Sequence, residues 1–315
     1  MKRIAIVGEC LIELNGAPFG TLHQTFGGDS LNTALYLARL SGKAVVVNYV
    51  TALGTDAFSD GMLSRWAAEG IDTGLVLRDA TRLPGLYMIQ IDAHGERTFL
   101  YWRDQSAARY LFQHPQFETV SAQLAGVDWV FVTGISLAIL PVEDRRKLVA
   151  LLAGLAQRGV GIAFDTNYRP RLWSSPEVAR EVVASVLPHA KLVFATYDDE
   201  QQLWGDASPQ ITLQRLFAAG ASQVILKLGA EGCLFGDGHD VIHVPTLPVA
   251  ATDTTAAGDA FNAAFLAALL SGHDAHSCCR AGNTLAGIVI QHKGAIIPAA
   301  ATPTLATCLS QPRIS

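Results

Sequence analysis

Short apolar runs alternate along the chain with longer segments whose apolar positions recur every three to four residues. The runs 4–7, 45–50, 127–132, 160–164, 192–195 and 224–228 are apolar almost throughout, the pattern of strands covered on both faces. Segments 31–40, 60–69, 142–157, 176–187 and 213–218 carry the helical period. That alternation predicts an α/β fold with a central, mostly parallel sheet flanked by helices. Segments 83–91 and 96–103 break the rhythm. They alternate with period two around Asp92-Ala93-His94-Gly95, which predicts a β-hairpin outside the main sheet. Segments 256–270 and 275–291 are rich in small apolar residues and predict two helices packed tightly against the sheet edge. The tail after Pro298 is rich in Ala, Thr and Pro and is expected to be irregular.

No internal repeat or low-complexity tract divides the chain, so residues 1–315 read as one domain with a small lid. Half of the residues are hydrophobic and 16% are charged, which excludes a disordered chain. The formal charge of -5 argues against a nucleic-acid or anionic-membrane partner and favours small molecules. No apolar run reaches the roughly 20 residues that span a bilayer. Met1-Lys2-Arg3 leads directly into a short apolar run with no cleavage site behind it, so a cytoplasmic protein is expected. The five cysteines are scattered and form no CxxC pair, which predicts reduced thiols.

The most informative stretch is Asp253-Thr254-Thr255-Ala256-Ala257-Gly258-Asp259-Ala260-Phe261, a turn of small residues feeding a helix. Small residues let backbone N–H groups approach a ligand, and the helix start adds a positive dipole end, so the element suits an anion. Asp259 in the first turn reads in two ways from spacing alone. It is a favourable N-terminal charge, or it is a general base taking a proton from a hydroxyl beside a phosphate cradle. Neither GxxxxGK[ST] nor GxGxxG occurs, so a nucleotide binds by another route. Gly27-Gly28-Asp29-Ser30-Leu31-Asn32 is a second Gly-led turn opening a helix, by itself an ordinary helix entry.

Together with Leu83-Pro84-Gly85-Leu86-Tyr87, Gly95-Glu96-Arg97-Thr98-Phe99-Leu100-Tyr101-Trp102-Arg103 and Asp165-Thr166-Asn167-Tyr168-Arg169-Pro170-Arg171-Leu172-Trp173, these two turns resemble the ribokinase-like (PfkB) carbohydrate kinases. More narrowly they resemble its members acting on 2-keto-3-deoxygluconate, over nearly the whole chain from Gly8-Glu9 to Pro298. The resemblance implies a ribokinase-like fold with a lid formed by about 9–28 and 84–108. It implies ATP-dependent phosphorylation of 2-keto-3-deoxygluconate to its 6-phosphate, with Mg²⁺, and K⁺ as a further candidate. By the same resemblance Asp259 is the catalytic base and Ala256, Ala257 and Gly258 form the anion hole. Gly28, Tyr87, Tyr101, Trp102, Arg103, Ile135 and Arg169 line the sugar-acid pocket, the two arginines taking the carboxylate as guanidinium forks do. Asn167 and Arg169 lie near the ATP phosphates, while Lys227, Gly229, Ala230, Gly232 and Asn283 wall the base and ribose. Glu200 is the implied Mg²⁺ contact, acting through water. The resemblance also implies a homo-oligomer paired through the lid.

The chain departs from the wider family at three places. Ala256-Ala257 stands where Gly is more frequent, Leu228 where many relatives carry Arg, and Tyr197 where the family has Asn. On composition alone Tyr101-Trp102-Arg103 is an exposed strand with alternating sides. His273-Asp274-Ala275-His276-Ser277-Cys278-Cys279 fits no zinc spacing and reads as a helix start. His239 and His243 sit on an expected strand, where their spacing does not converge. Gly134-Ile135-Ser136-Leu137-Ala138 lacks the last Gly of a nucleophile elbow. Two alternatives stay in view: a kinase for fructose, ribose or 2-keto-3-deoxygalactonate, and a catalytically silent sugar-acid-binding protein on the same scaffold. Asp259 argues against the silent protein, and the paired arginines argue against neutral sugars.

Overall fold

The computed structural model describes residues 1–91 and 97–310. The predicted turn Asp92-Ala93-His94-Gly95, with Glu96, and the last five positions lie outside them. In chain order the strands are β1 (Lys2–Val7), β2 (Leu11–Gly16), β3 (Leu22–Gly27), β4 (Val45–Gly54), β5 (Val76–Asp79), β6 (Leu86–Ile91) and β7 (Arg97–Trp102). They continue as β8 (Trp129–Thr133), β9 (Gly161–Asp165), β10 (Leu192–Thr196), β11 (Val224–Lys227), β12 (Cys233–Gly236) and β13 (Val241–Val244). The helices are α1 (Asp29–Ser41), α2 (Ala57–Ala68), α3 (Phe117–Leu124), α4 (Gly134–Ala138), α5 (Val142–Gln157) and α6 (Pro176–Val186). After them come α7 (Tyr197–Trp204), α8 (Pro209–Ala218), α9 (Ala257–Leu270), α10 (Ala275–Val289) and α11 (Leu305–Ser310).

Nine strands form the main sheet in the order β13-β12-β11-β10-β9-β8-β1-β4-β5. Every neighbouring pair from β11 to β5 is parallel, and β12 runs antiparallel to both of its neighbours. Alternate residues of one strand serve opposite faces. Ile4 and Ile6 join the core under α1, α9 and α10, whereas Ala5 and Val7 join the core under α5, α6 and α8. All six predicted strands and all five predicted helices are present, with β4 running past residue 50 to Gly54.

The expectation of packing against the sheet edge holds for α10, which packs on the edge strand β13 and its neighbour β12, and is corrected for α9. That helix reaches across a face of the sheet: its Phe265 ring meets Phe194 of the interior strand β10 edge-on, with centroids 5.3 Å apart. Small side chains bring the two helices close, and a Cβ on Gly282 would stand 2.8 Å from the Phe261 ring. The crowded segment at 273–279 is a helix start, with Asp274 Oδ1 accepting from the Ser277 N–H at 2.9 Å. All five cysteines are free and buried.

The second sheet has the order β3-β2-β6-β7 and stands outside the main one. Its β6–β7 hairpin follows the two-residue period; β2 and β3 do not show in that period, because most of β3 is polar and exposed. Register pairs Glu13 with Tyr87 and Tyr87 with Tyr101, placing them on one face. Among the described residues no helix is long and apolar enough to cross a membrane.

Candidate active site

In a parallel sheet the loops after the carboxyl ends of the strands converge, and ligands bind among them. Here Glu9 follows β1, Ile135 follows β8, Asp165 closes β9 ahead of Asn167 and Arg169, Thr196 closes β10 ahead of Asp199, and Lys227 closes β11. All of them line one polar cavity of about 540 Å³, together with Gly28, Asp29 and Asn32 at the start of α1 and Leu11, Tyr87, Phe99, Tyr101 and Arg103 from the second sheet. A second, mostly apolar groove of about 430 Å³ is walled by Gly229, Ala230, Gly232, Thr246, Leu247, Pro248, Val249, Phe261 and Asn283. The two cavities share Thr196, Lys227, Thr254, Ala257 and Gly258, so they meet at the start of α9.

That helix start is held by a specific turn. The buried Asp253 carboxylate accepts from the Thr255 N–H at 3.0 Å and its hydroxyl at 2.7 Å, and from the Gly294 N–H at 2.7 Å. Ala256 then takes a left-handed conformation, φ 61°, before α9 begins, a placement that costs a residue with a Cβ about 1 kcal/mol or more. The first N–H groups of a helix have no carbonyl within it to bond. A 14-residue helix also ends in a positive dipole at this point. Lys227 adds a full charge below it: its Nζ bonds Asp165 Oδ2 at 3.1 Å and Asn262 Oδ1 at 3.2 Å, and a Cβ on Gly258 would stand 3.4 Å from that nitrogen.

Asp259 stands in the polar cavity one residue past Gly258. The Asn32 side-chain amide donates to its Oδ2 at 2.8 Å. Burial, then the Asp29 carboxylate, push its pKa up to about 7 against the opposing pull of Asn32. A carboxyl poised there can accept a proton from a hydroxyl at neutral pH and hold it.

The structure brings most of the expected residues together. Ala256, Ala257, Gly258 and Asp259 surround the junction; Gly28, Tyr87, Tyr101, Arg103, Ile135, Asn167 and Arg169 line the polar cavity; Gly229, Ala230, Gly232 and Asn283 line the groove. Asn283 donates to the Val244 carbonyl at 2.9 Å, which fixes that wall.

Three expectations are corrected and one is extended. Trp102 does not line the cavity. It follows Tyr101 on β7, so strand alternation turns it to the opposite face, where it is 57% exposed. Lys227 lines the apolar groove as expected, and it lines the polar cavity too, so it also forms the buried floor of the junction. Glu200 reaches neither cavity: it is fully buried on α7, with Oε1 accepting from Thr166 at 2.6 Å and Oε2 from Arg215 at 2.7 Å. Neither arginine is an uncommitted clamp. Glu9 Oε2 accepts from Arg103 Nε at 2.8 Å and also from its Nη2, and Asp199 accepts from Arg169 Nη1 at 3.0 and 3.1 Å.

Sequence reasoning passed over Glu9, Asp29, Asn32, Phe99, Asp165 and Asp199 as site residues. Position at the carboxyl end of a strand was the available signal for Glu9, Asp165 and Asp199. The period-two alternation of β7 placed Phe99 beside Tyr101, and their rings stack with centroids 6.3 Å apart.

The chain is similar to known proteins. The model of the pfkB family carbohydrate kinases matches residues 1–302. The 2-dehydro-3-deoxygluconokinase of Haemophilus influenzae is 52% identical over 303 residues, covering 94% of this chain and 96% of its own. The 2-dehydro-3-deoxygluconokinase of Dickeya dadantii is 45% identical over 309 residues, covering 96% and 99%. Among solved structures, the PfkB protein from Polaromonas sp. JS666 superposes with a TM-score of 0.83 at 26% identity, with 98% of each chain covered.

Proposed function

The chain belongs to the pfkB family of carbohydrate kinases and has their ribokinase-like α/β fold, and from that premise we propose that it transfers the γ-phosphoryl group of ATP to the terminal hydroxyl of 2-keto-3-deoxygluconate. The observation that carries the reading is the meeting of two cavities of different character at the start of α9, with Asp259 on the polar side. An apolar groove suits the adenine and ribose. The polar cavity suits a sugar acid, and a phosphoryl group crossing between them passes the α9 N–H groups and Lys227.

In this reading the acceptor hydroxyl donates its proton to Asp259 as its oxygen attacks phosphorus, ADP leaves, and the product is the 6-phosphate. No covalent enzyme intermediate is needed, since phosphoryl transfer depends on alignment and charge neutralisation. Arg169, half exposed in the wall of the polar cavity, pairs Asp199 through Nη1 alone, which leaves the rest of its guanidinium to meet the acceptor carboxylate. The tyrosine rings of the second sheet pack on the carbon chain. Asp165 and Asp199, paired to Lys227 and Arg169, face the polar cavity, as Glu200 does not, and would hold a hydrated Mg²⁺ through its waters beside the substrate phosphates. When bound, that ion neutralises charge on the phosphates. No described residue is assigned to K⁺.

Residues 9–28 and the described parts of 84–108, namely 84–91 and 97–108, act as a lid that keeps water from the γ-phosphate. Leu22, Leu100 and Trp102 share the outer face of that sheet and are 39%, 36% and 57% exposed, which supports pairing with a second copy. Use of ATP and five free buried thiols favours the cytoplasm.

ADP release from ATP and Mg²⁺ with 2-keto-3-deoxygluconate, its galactonate epimer, fructose and ribose at equal concentrations tests the reading. Turnover on the keto acids is expected. Turnover on fructose or ribose alone moves the assignment to a neutral-sugar kinase, and no turnover with any acceptor favours the silent binding protein.

A further inference from the structure

Glu9 occupies the point where the chain leaves β1 for the second sheet, and Arg103 the point where it returns after β7. Both belong to the wall of the polar cavity, and the Glu9 side chain is only 2% exposed. Arg103 takes up one carboxylate oxygen, Oε2, through both Nε and Nη2. The other, Oε1, is buried and has no hydrogen-bond partner. It lies beside Gly85, where a Cβ would stand 2.9 Å away. A buried carboxylate oxygen without a donor is costly, so the site is incomplete until something supplies one.

We propose that Glu9 Oε1 accepts a hydrogen bond from an interior hydroxyl of the sugar acid, which makes Glu9 a specificity-determining residue and Arg103 its partner. In the open-chain acceptor, taken from the function proposed above, the chemistry leaves this group alone. Its carboxylate would be repelled by an unpartnered carboxylate oxygen. Its open-chain keto oxygen has no proton to give. Its terminal hydroxyl must face Asp259. The interior hydroxyls remain, and a site with a buried group for such a hydroxyl rejects analogues that lack it far more strongly than an apolar pocket rejects a change in size. The ion pair also changes the role of Arg103: its charge is balanced, so it steers Glu9 and does not clamp a carboxylate.

The test uses the whole enzyme and measures kcat and KM for 2-keto-3-deoxygluconate and its 4-deoxy and 5-deoxy analogues, with the KM for ATP as the control. With the unaltered enzyme, one analogue is expected to lose about 30-fold or more in kcat/KM, as deletion of a hydrogen bond to a charged buried group does. With Glu9→Gln the loss for that analogue should shrink to about threefold, the acceptor KM should rise, and the KM for ATP should stay within about twofold. If both analogues lose less than about fivefold with the unaltered enzyme, the proposal is overturned whether or not the variant folds. Equal losses in the two enzymes overturn it too. An unaltered enzyme inactive on the keto acid itself would instead remove the functional reading on which this inference rests.

Discussion

Asp259 titrates near neutrality because burial and the neighbouring Asp29 carboxylate disfavour its charged form, while Asn32 supports it. As a base it works only when deprotonated, so kcat should rise with pH through about 7. Asp259→Asn should lower kcat by about 10²- to 10⁴-fold and leave the acceptor KM within about threefold. The same shift bears on stability. The folded value of about 7 lies above the ordinary 3.8, so this group's contribution is complete below about pH 4 and is lost as pH rises through 7. Asp259→Asn should therefore melt a few degrees above the parent at pH 8, with the gap closing at pH 4; a melting point below the parent's at pH 8 would contradict the burial argument. Tyr101 and Trp102 separate at this scale as well. Tyr101→Ala should raise the acceptor KM about tenfold, roughly 1.4 kcal/mol. Trp102→Ala should leave that KM unchanged and weaken self-association in sedimentation.

The helix pair α9–α10 carries the junction, and its geometry depends on how closely the two can approach. A side chain at Gly282 meets the Phe261 ring, which itself walls the apolar groove. Gly282→Val should cost about 1–3 kcal/mol, read as a lower urea midpoint at unchanged slope, and should raise the KM for ATP more than that for the acceptor. The central strands were legible because burial on both faces leaves a continuous apolar run, as in Ile4 to Val7, 0–4% exposed. Strands β2 and β3 were not, since His23, Gln24 and Thr25 carry no apolar alternation and pair only through distant partners. The turn at 253–259 was legible because small residues ahead of a helix admit few other uses. Glu9 was not, because a charge after Gly8 reads as the polar end of a strand until the fold brings Arg103 to it from 94 positions away. Glu200 shows the converse: a sequence gives a carboxylate but not its partners, and here Thr166 and Arg215 occupy both oxygens.

At the scale of the molecule, one helix start joins an apolar groove to a polar cavity. The polar side carries Glu9, Asp29, Asp165, Asp199 and Asp259 against Arg103, Arg169 and Lys227. Five carboxyls and three cations do not by themselves welcome two anionic substrates. Mg²⁺ arriving with ATP relieves part of that repulsion. The second sheet closes the polar side with its aromatic face, so the site is complete only where both sheets contribute. Direct transfer across this junction is the central claim, and a rapid-quench single turnover with γ-³²P-labelled ATP and 2-keto-3-deoxygluconate tests it most directly. Label is expected to pass straight into the 6-phosphate of the sugar acid, with Asp259→Asn binding ATP normally but transferring about 10²-fold more slowly or worse. Label appearing first on the protein, or transfer by Asp259→Asn at the unaltered rate, would contradict it.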